Sequence, residues 1–158
     1  MNAQLNDADR RREQAYERLG TRTPKCQSYP ETDPIVLTGK HPQSICYRCM
    51  AIRDGKKTTE NHHIGGQHND SFTVPIPAND HRRLNDTQND WPERTLKNSD
   101  GSPLVGIAGL LRGWIDVLLL IIKQVLVKLP AALEDLNSCL TQSIGPAWWV
   151  TIGWQGVL

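Results

Sequence analysis

The chain has 158 residues and a formal net charge of +1, which excludes a strongly basic nucleic-acid-coating protein and leaves any polyanion contact to a local patch. That length suits one domain, or one domain with an appended helical element. Four cysteines in an ordinary composition, two of them in Cys46-Tyr47-Arg48-Cys49, fit metal binding in a reducing compartment better than a disulfide framework.

The first zone, residues 1 to 24, is polar and of mixed charge, and it lacks the apolar segment of a secretory signal. A cytoplasmic protein is the expectation. Within this zone DADRRREQAYERLG reads as a short solvated helix that ends at Gly20. Arg10, Arg11 and Arg12 read as a solvent-facing turn of it, with a phosphate-contacting patch as the alternative.

Residues 25 to 100 are rich in Pro, Gly, Asn, Asp and His and poor in long apolar runs. A segment of this kind buries little hydrocarbon, so it is either disordered or organised by something else, and metal ions are the obvious candidate. Cys46 and Cys49 have the spacing of one zinc knuckle. Cys26-Gln27-Ser28-Tyr29 has the spacing of another, with Tyr29 where the second thiolate would stand, and 16 residues separate Tyr29 from Cys46. A structural zinc would therefore rest on Cys26, Cys46 and Cys49, with His41 as the candidate fourth ligand. The alternative is a lapsed site in which Cys26 is a small buried residue.

Further on, ENHHIGGQHNDSFTVPIPANDHRRL places His62, His63 and His68 close together. Neutral imidazole is the commonest metal ligand and the side chain best matched to proton transfer near neutral pH. A Gly65-Gly66 turn, a short β-prone run and a helix start at Asn79-Asp80-His81 follow. Arg82 and Arg83, just beyond, are candidates for phosphate contact through bidentate donation, with solvated surface as the alternative.

From Asp100-Gly101-Ser102-Pro103 the character changes again, with Ser102 as N-cap and Pro103 at the first helical position. Residues 104 to 129 predict one helix of about 39 Å, long enough to cross a bilayer, but interrupted by Arg112, Asp116, Lys123 and Lys128. Arg112, Asp116 and Lys123 fall within about 40° on the helical wheel, a narrow polar stripe on an apolar cylinder. A second helix is expected from Pro130 to near Gly145. Leu133, Leu136 and Leu140 would cover one side of the first helix, Trp148, Trp149 and Trp154 more of it, and Cys139 would be core. What stays apolar suggests a homodimer through the helices of 104–140, ahead of a membrane-surface contact.

The run from His62-His63 through Asn69 to His81, beside Cys46-x-x-Cys49, resembles the HNH endonuclease family and its ββα-metal (His-Me) finger. The resemblance covers roughly residues 26 to 86. It implies an α+β fold: a small ββα finger with an upstream knuckle-like hairpin, followed by two C-terminal helices, so that 1–24 is an arm, 25–100 the nuclease domain and 101–158 a helical region. It also implies a hydrolase that cuts DNA phosphodiester bonds. His62 and His81 would hold a divalent ion such as Mg²⁺, Mn²⁺ or another transition metal, His63 would be the general base, and Asn69 would tie the loop to the strand backbone and orient His63. His68 has no counterpart role. The competing expectation is a catalytically inactive, zinc-stabilised module that binds nucleic acid or protein.

Overall fold

The computed structural model describes residues 6–153, so Trp154 lies outside the described residues. The elements follow the punctuation of the sequence closely. Helix α1 (Asp7–Leu19) begins where the Asn6 side chain accepts the Asp9 N–H at 2.8 Å. It ends at Gly20, whose φ of 71° is the left-handed conformation that closes helices and that glycine adopts without steric cost.

A 3-10 turn at Pro34–Val36 leads into β1 (Leu37–Thr38), which pairs antiparallel with β2 (Ile45–Cys46) in the register Leu37↔Cys46. Helix α2 (Tyr47–Arg53) starts directly on Cys46. Strands β3 (Thr59–His63) and β4 (Thr73–Pro77) form a second antiparallel pair, with His62 opposite Val74 and His63 opposite Thr73. β4 runs straight into α3 (Ala78–Gln88), giving the expected ββα order, and a short α4 (Glu93–Lys97) follows. The fold is α+β, with helices set around two two-stranded sheets.

The core of this part is small. Leu19, Val36, Leu37 and Ile64 are fully buried, and Leu19 and Leu37 cluster with Cys26 and Cys46. Polar ties supply much of the rest. Arg11 forks onto Asp86 and Asp90 of the α3 region, each at 2.8 Å, so α1 is clamped to α3. The expectation of a solvent-facing Arg10-Arg11-Arg12 turn is thus corrected for Arg11. Arg10 does lie outward, beside Asp7, and Arg12 sits 3.6 Å from Asp33.

Helix α5 (Pro103–Ile121) begins as expected, with the Ser102 carbonyl accepting the Gly106 N–H and Pro103 at the first position. The predicted single helix to residue 129 is interrupted: a π-helical turn at Ile122–Leu126 precedes α6 (Leu129–Ile144), which carries Pro130 in its first turn. Proline lacks the N–H needed to continue the earlier ladder, which is the reason for the break. A short α7 (Trp148–Thr151) comes last. The first compact unit runs through Val117 and the second begins at Leu118, so the first part of α5 belongs with the first unit.

That part of α5 packs through its glycines. A Cβ on Gly113 would stand 1.7 Å from the Ile64 carbonyl oxygen, and one on Gly109 would stand 2.7 Å from that of Gly65. Asp116 is not a solvated stripe residue: it accepts the indole N–H of buried Trp91 at 2.8 Å. In contrast, Leu133 and Leu136 are more than half exposed, and Cys139 is exposed rather than core. α6 therefore does not bury the apolar face that it was expected to use. The helical stretch Pro103–Ile144 is long and apolar enough to cross a bilayer, by length and composition only.

Because no small shift accommodates a methyl group at 1.7 Å, Gly113→Ala should destabilise the protein by about 1–3 kcal/mol. Gly106→Ala, whose nearest neighbour is at 3.6 Å, should be neutral or stabilising by up to ~1 kcal/mol. Urea unfolding of the two variants beside the parent checks the contrast.

Candidate functional site

Two clusters stand in the first unit, one of cysteines and one of histidines. In one, the ligand atoms of Cys26, Cys46 and Cys49 all lie within 4.8 Å of one another. The β1–β2 pair delivers Cys46, the first turn of α2 delivers Cys49, and the Cys46 N–H points at the Cys26 sulfur at 3.3 Å. Zinc at ~2.3 Å from each sulfur sets tetrahedral sulfur separations of roughly 3.8 Å, so the three thiols fit such an ion.

Their electrostatics point the same way. Burial would push the Cys26 thiol up, but N–H groups of Ser28 and Cys46 outweigh it and hold it below the ordinary thiol value. Burial and the neighbouring sulfurs push Cys49 up to about 12. Three crowded thiols of this kind ionise together only when a cation balances them, and zinc is a natural choice for such soft donors. His41 does not join them. It is exposed, with its backbone N–H on the Leu19 carbonyl, and the expectation of a fourth ligand there is not met.

The second cluster is built by β3 and α3. Adjacent strand positions face opposite ways, and here His62 is 2% exposed while His63 is half-buried. His81, in the first turn of α3, meets His62 edge to face with ring centroids 5.3 Å apart. The two imidazoles that the sequence separates by nineteen positions are therefore neighbours.

Three residues that the sequence reading passed over complete this cluster. Glu60, on the same strand face as His62, places Oε2 2.7 Å from His81 Nδ1. A carboxylate holding one imidazole nitrogen leaves the other for a ligand, an arrangement common around bound metals. Asn85 hydrogen-bonds His62 and lies 3.5 Å from His81 Nδ1. The Gln88 amide lies 3.2 Å from His62 Nε2 and donates to the His63 carbonyl at 3.0 Å. His81, Asn85 and Gln88 occupy i, i+4 and i+7 of one helix, so their common face was legible as spacing. Only the fold says what that face meets.

Burial, then the neighbouring rings of His81 and His63, push His62 down to about 4. It is therefore a neutral imidazole near pH 7, and its Nε2 accepts the Gln88 amide N–H. His63 is held differently, with Nδ1 3.0 Å from the Asp70 carbonyl oxygen. A carbonyl only accepts, so the proton of the neutral ring sits on Nδ1 and Nε2 carries a free lone pair.

Asn69, expected to tie the loop to the strand backbone and to orient His63, makes the first kind of contact, while His63 is held by the Asp70 carbonyl. The Asn69 amide donates to the Gly65 and Thr95 carbonyls at 2.8 and 2.7 Å, joining the turn to α4, while its buried Oδ1 has no hydrogen-bond partner among the described residues. Arg83 is also corrected. It pairs with Glu31 at 2.6 Å, Asp33 at 3.0 Å and Asp80 at 2.9 Å, and its side chain is 14% exposed. An arginine so engaged braces α3 against the segment after Cys26 and is not free to meet phosphate. Arg82 is exposed and lies over the Tyr47 ring at 5.4 Å. His68 is exposed and takes no part.

Two outcomes test these clusters. Reduced protein should carry close to one zinc per chain by elemental analysis, and Cys46→Ser should lose it and unfold at lower denaturant, since structural zinc contributes on the order of 10 kcal/mol. His62 should stay neutral in an imidazole NMR titration of protein free of added divalent ions down to about pH 4. Its folded value lies below its unfolded one, so its stabilising contribution is complete above about pH 6.5 and is lost as pH falls toward 4.

Compared with protein-family models, curated proteins and solved structures, the chain matches none of them.

Proposed function

We propose that the protein is a metal-dependent endonuclease of the HNH type that hydrolyses DNA phosphodiester bonds. The observation that carries this reading is the approach of His81 to His62, at 5.3 Å between ring centroids, with His63 next to them and held by one nitrogen. A polar loop that happened to be rich in histidine would have no reason to bury one imidazole, brace a second with a carboxylate and orient a third.

His62, His81 and the Asn85 side chain would hold the catalytic divalent ion. Neutral nitrogen and amide oxygen donors accept Mg²⁺ less readily than a carboxylate set and admit softer transition metals. The chemistry supplied by such an ion is neutralisation of the negative charge that builds on phosphate oxygens. Glu60 fixes the tautomer and aim of His81 through Nδ1. Gln88 ties His62 to the strand that carries it.

His63 does the proton work. With Nδ1–H donated to the Asp70 carbonyl, Nε2 is the basic nitrogen, and it takes a proton from the water that attacks phosphorus. The imidazolium formed keeps its Nδ1–H on the same carbonyl, so the charge is stabilised without reorganising the loop. A single site of this kind cuts one strand at a time. The uncovered apolar side chains of α5 and α6 would offer a second copy of the chain a docking surface for cutting both.

Supercoiled plasmid incubated with Mg²⁺, Mn²⁺ or Ni²⁺ should be nicked, with His63→Ala slower by about 10²–10⁴-fold at unchanged stability. His81→Ala, which removes a metal ligand, should lose metal-supported nicking or need far more added metal for it. Retardation of the plasmid without nicking at any metal concentration would instead identify a zinc-stabilised binding module.

A further inference from the structure

A cleft of about 260 Å³ between α1, the 3-10 turn and α3 is lined by Arg11, Arg18 and Arg82. Three guanidinium groups on one cleft are notable in a chain whose net charge is +1, and their state of neutralisation decides what the cleft attracts. Arg11 is balanced by Asp86 and Asp90. Arg18 donates to the Pro34 and Leu37 carbonyls at 3.3 and 2.8 Å, contacts that aim the group and leave its charge whole.

Arg82 lies on the Tyr47 ring, and Arg48, next to Tyr47 in α2, lies over the Tyr29 ring at 4.5 Å. The carboxylates of this region go to Arg11, Arg12 and Arg83, which leaves Arg18, Arg48 and Arg82 without a carboxylate partner among the described residues. A guanidinium lying on a ring is positioned, while its N–H edges remain free to donate to an anion.

We propose that Arg18, Arg82 and Arg48 form a track for the phosphate backbone of duplex DNA, running from the α1–α3 cleft across the start of α2. The inference rests on the nuclease reading and supplies what that site lacks, a means of holding the strand. Arg82 directly follows His81 on α3, with side chains about 100° apart around the helix, so one helix presents the cleft on one flank and the histidine cluster on the other. It also gives a role to Tyr29, which stands where a zinc knuckle would have its second cysteine: the ring seats Arg48. A backbone track of this kind reads charge and not bases, so it predicts binding with little sequence preference.

The test uses the full chain carrying His63→Ala, so that DNA is bound and not cut, and a labelled duplex of about 20 base pairs followed by anisotropy between ~50 and ~200 mM salt. Arg82→Gln and Arg48→Gln change exposed side chains, and the denaturation midpoint of each verifies that it folds. Each should weaken binding several-fold at the lowest salt and reduce the slope of log K against log salt by about 0.9. Arg18→Lys, which keeps charge and loses the fork, should change the slope less than Arg18→Gln.

A parent that does not bind the duplex overturns the proposal. So do variants with the parent's affinity and slope, or polyglutamate displacing the duplex as well as unlabelled DNA does. Arginine-dependent binding by a wild-type chain that never nicks plasmid would sink the nuclease reading and leave the track standing. Nicking unaffected by the arginine substitutions would do the reverse.

Discussion

Three sulfurs occupy the place where a domain of this size would ordinarily have hydrocarbon. Cys26, Cys46 and Cys49 converge under Leu19 and Leu37, and this cluster is the meeting point of the chain before β1, the β1–β2 pair and α2. Segments of such short strands and so much Pro, Gly and Asn bury too little apolar surface to offset their ordering entropy. A cation shared by the sulfurs would supply that deficit, and the Ser28 and Cys46 N–H groups that hold the Cys26 thiol low favour a thiolate there.

From that centre, order passes to the histidines through polar contacts more than through packing. Asn79, at the start of α3, accepts the Arg48 N–H from α2 and donates to Glu31. Arg83 gathers Glu31, Asp33 and Asp80 around one guanidinium. Breaking a pair of this kind leaves a buried charge uncompensated, at a cost of several kcal/mol, so the network sets the angle of α3. That angle brings His81 onto His62 and Asn85 between them. The cysteine cluster and the histidine site are thus linked through Asn79, Glu31 and Arg83, although no residue belongs to both.

The first half of α5 closes the other side. Gly109 and Gly113 let its backbone approach the Ile64-Gly65 turn more closely than any side chain would permit, and Trp91 reaches Asp116 across the same contact. A stretch that by composition alone has the length and apolarity of a membrane span is therefore engaged along one glycine face of α5 with the loop beside His63. Large apolar side chains along α5 and α6, from Leu104 and Leu111 to Leu133 and Leu136, are exposed.

Local signals in the sequence were sufficient for several of the elements, though not for the break at Ile122–Leu126, and for much of the site. Asn6 and Gly20 bound α1, Ser102 and Pro103 start α5, and the Gly65-Gly66 turn separates two strands, because caps and turns depend on backbone chemistry within a few residues. The pairing of His62 with His81 and the convergence of three cysteines were also legible, since spacing along a strand, a turn and a helix fixes which residues can meet. The partners of long polar side chains were not. That Arg83 is consumed by Glu31 and Asp33 as well as Asp80, and that Asp116 meets Trp91, depend on groups brought together from distant segments, and that the Asp70 carbonyl holds His63 depends on the shape of the intervening loop. Nothing local selects among the many partners that an arginine or an amide could reach; only the packed arrangement of α1, α3 and α5 does.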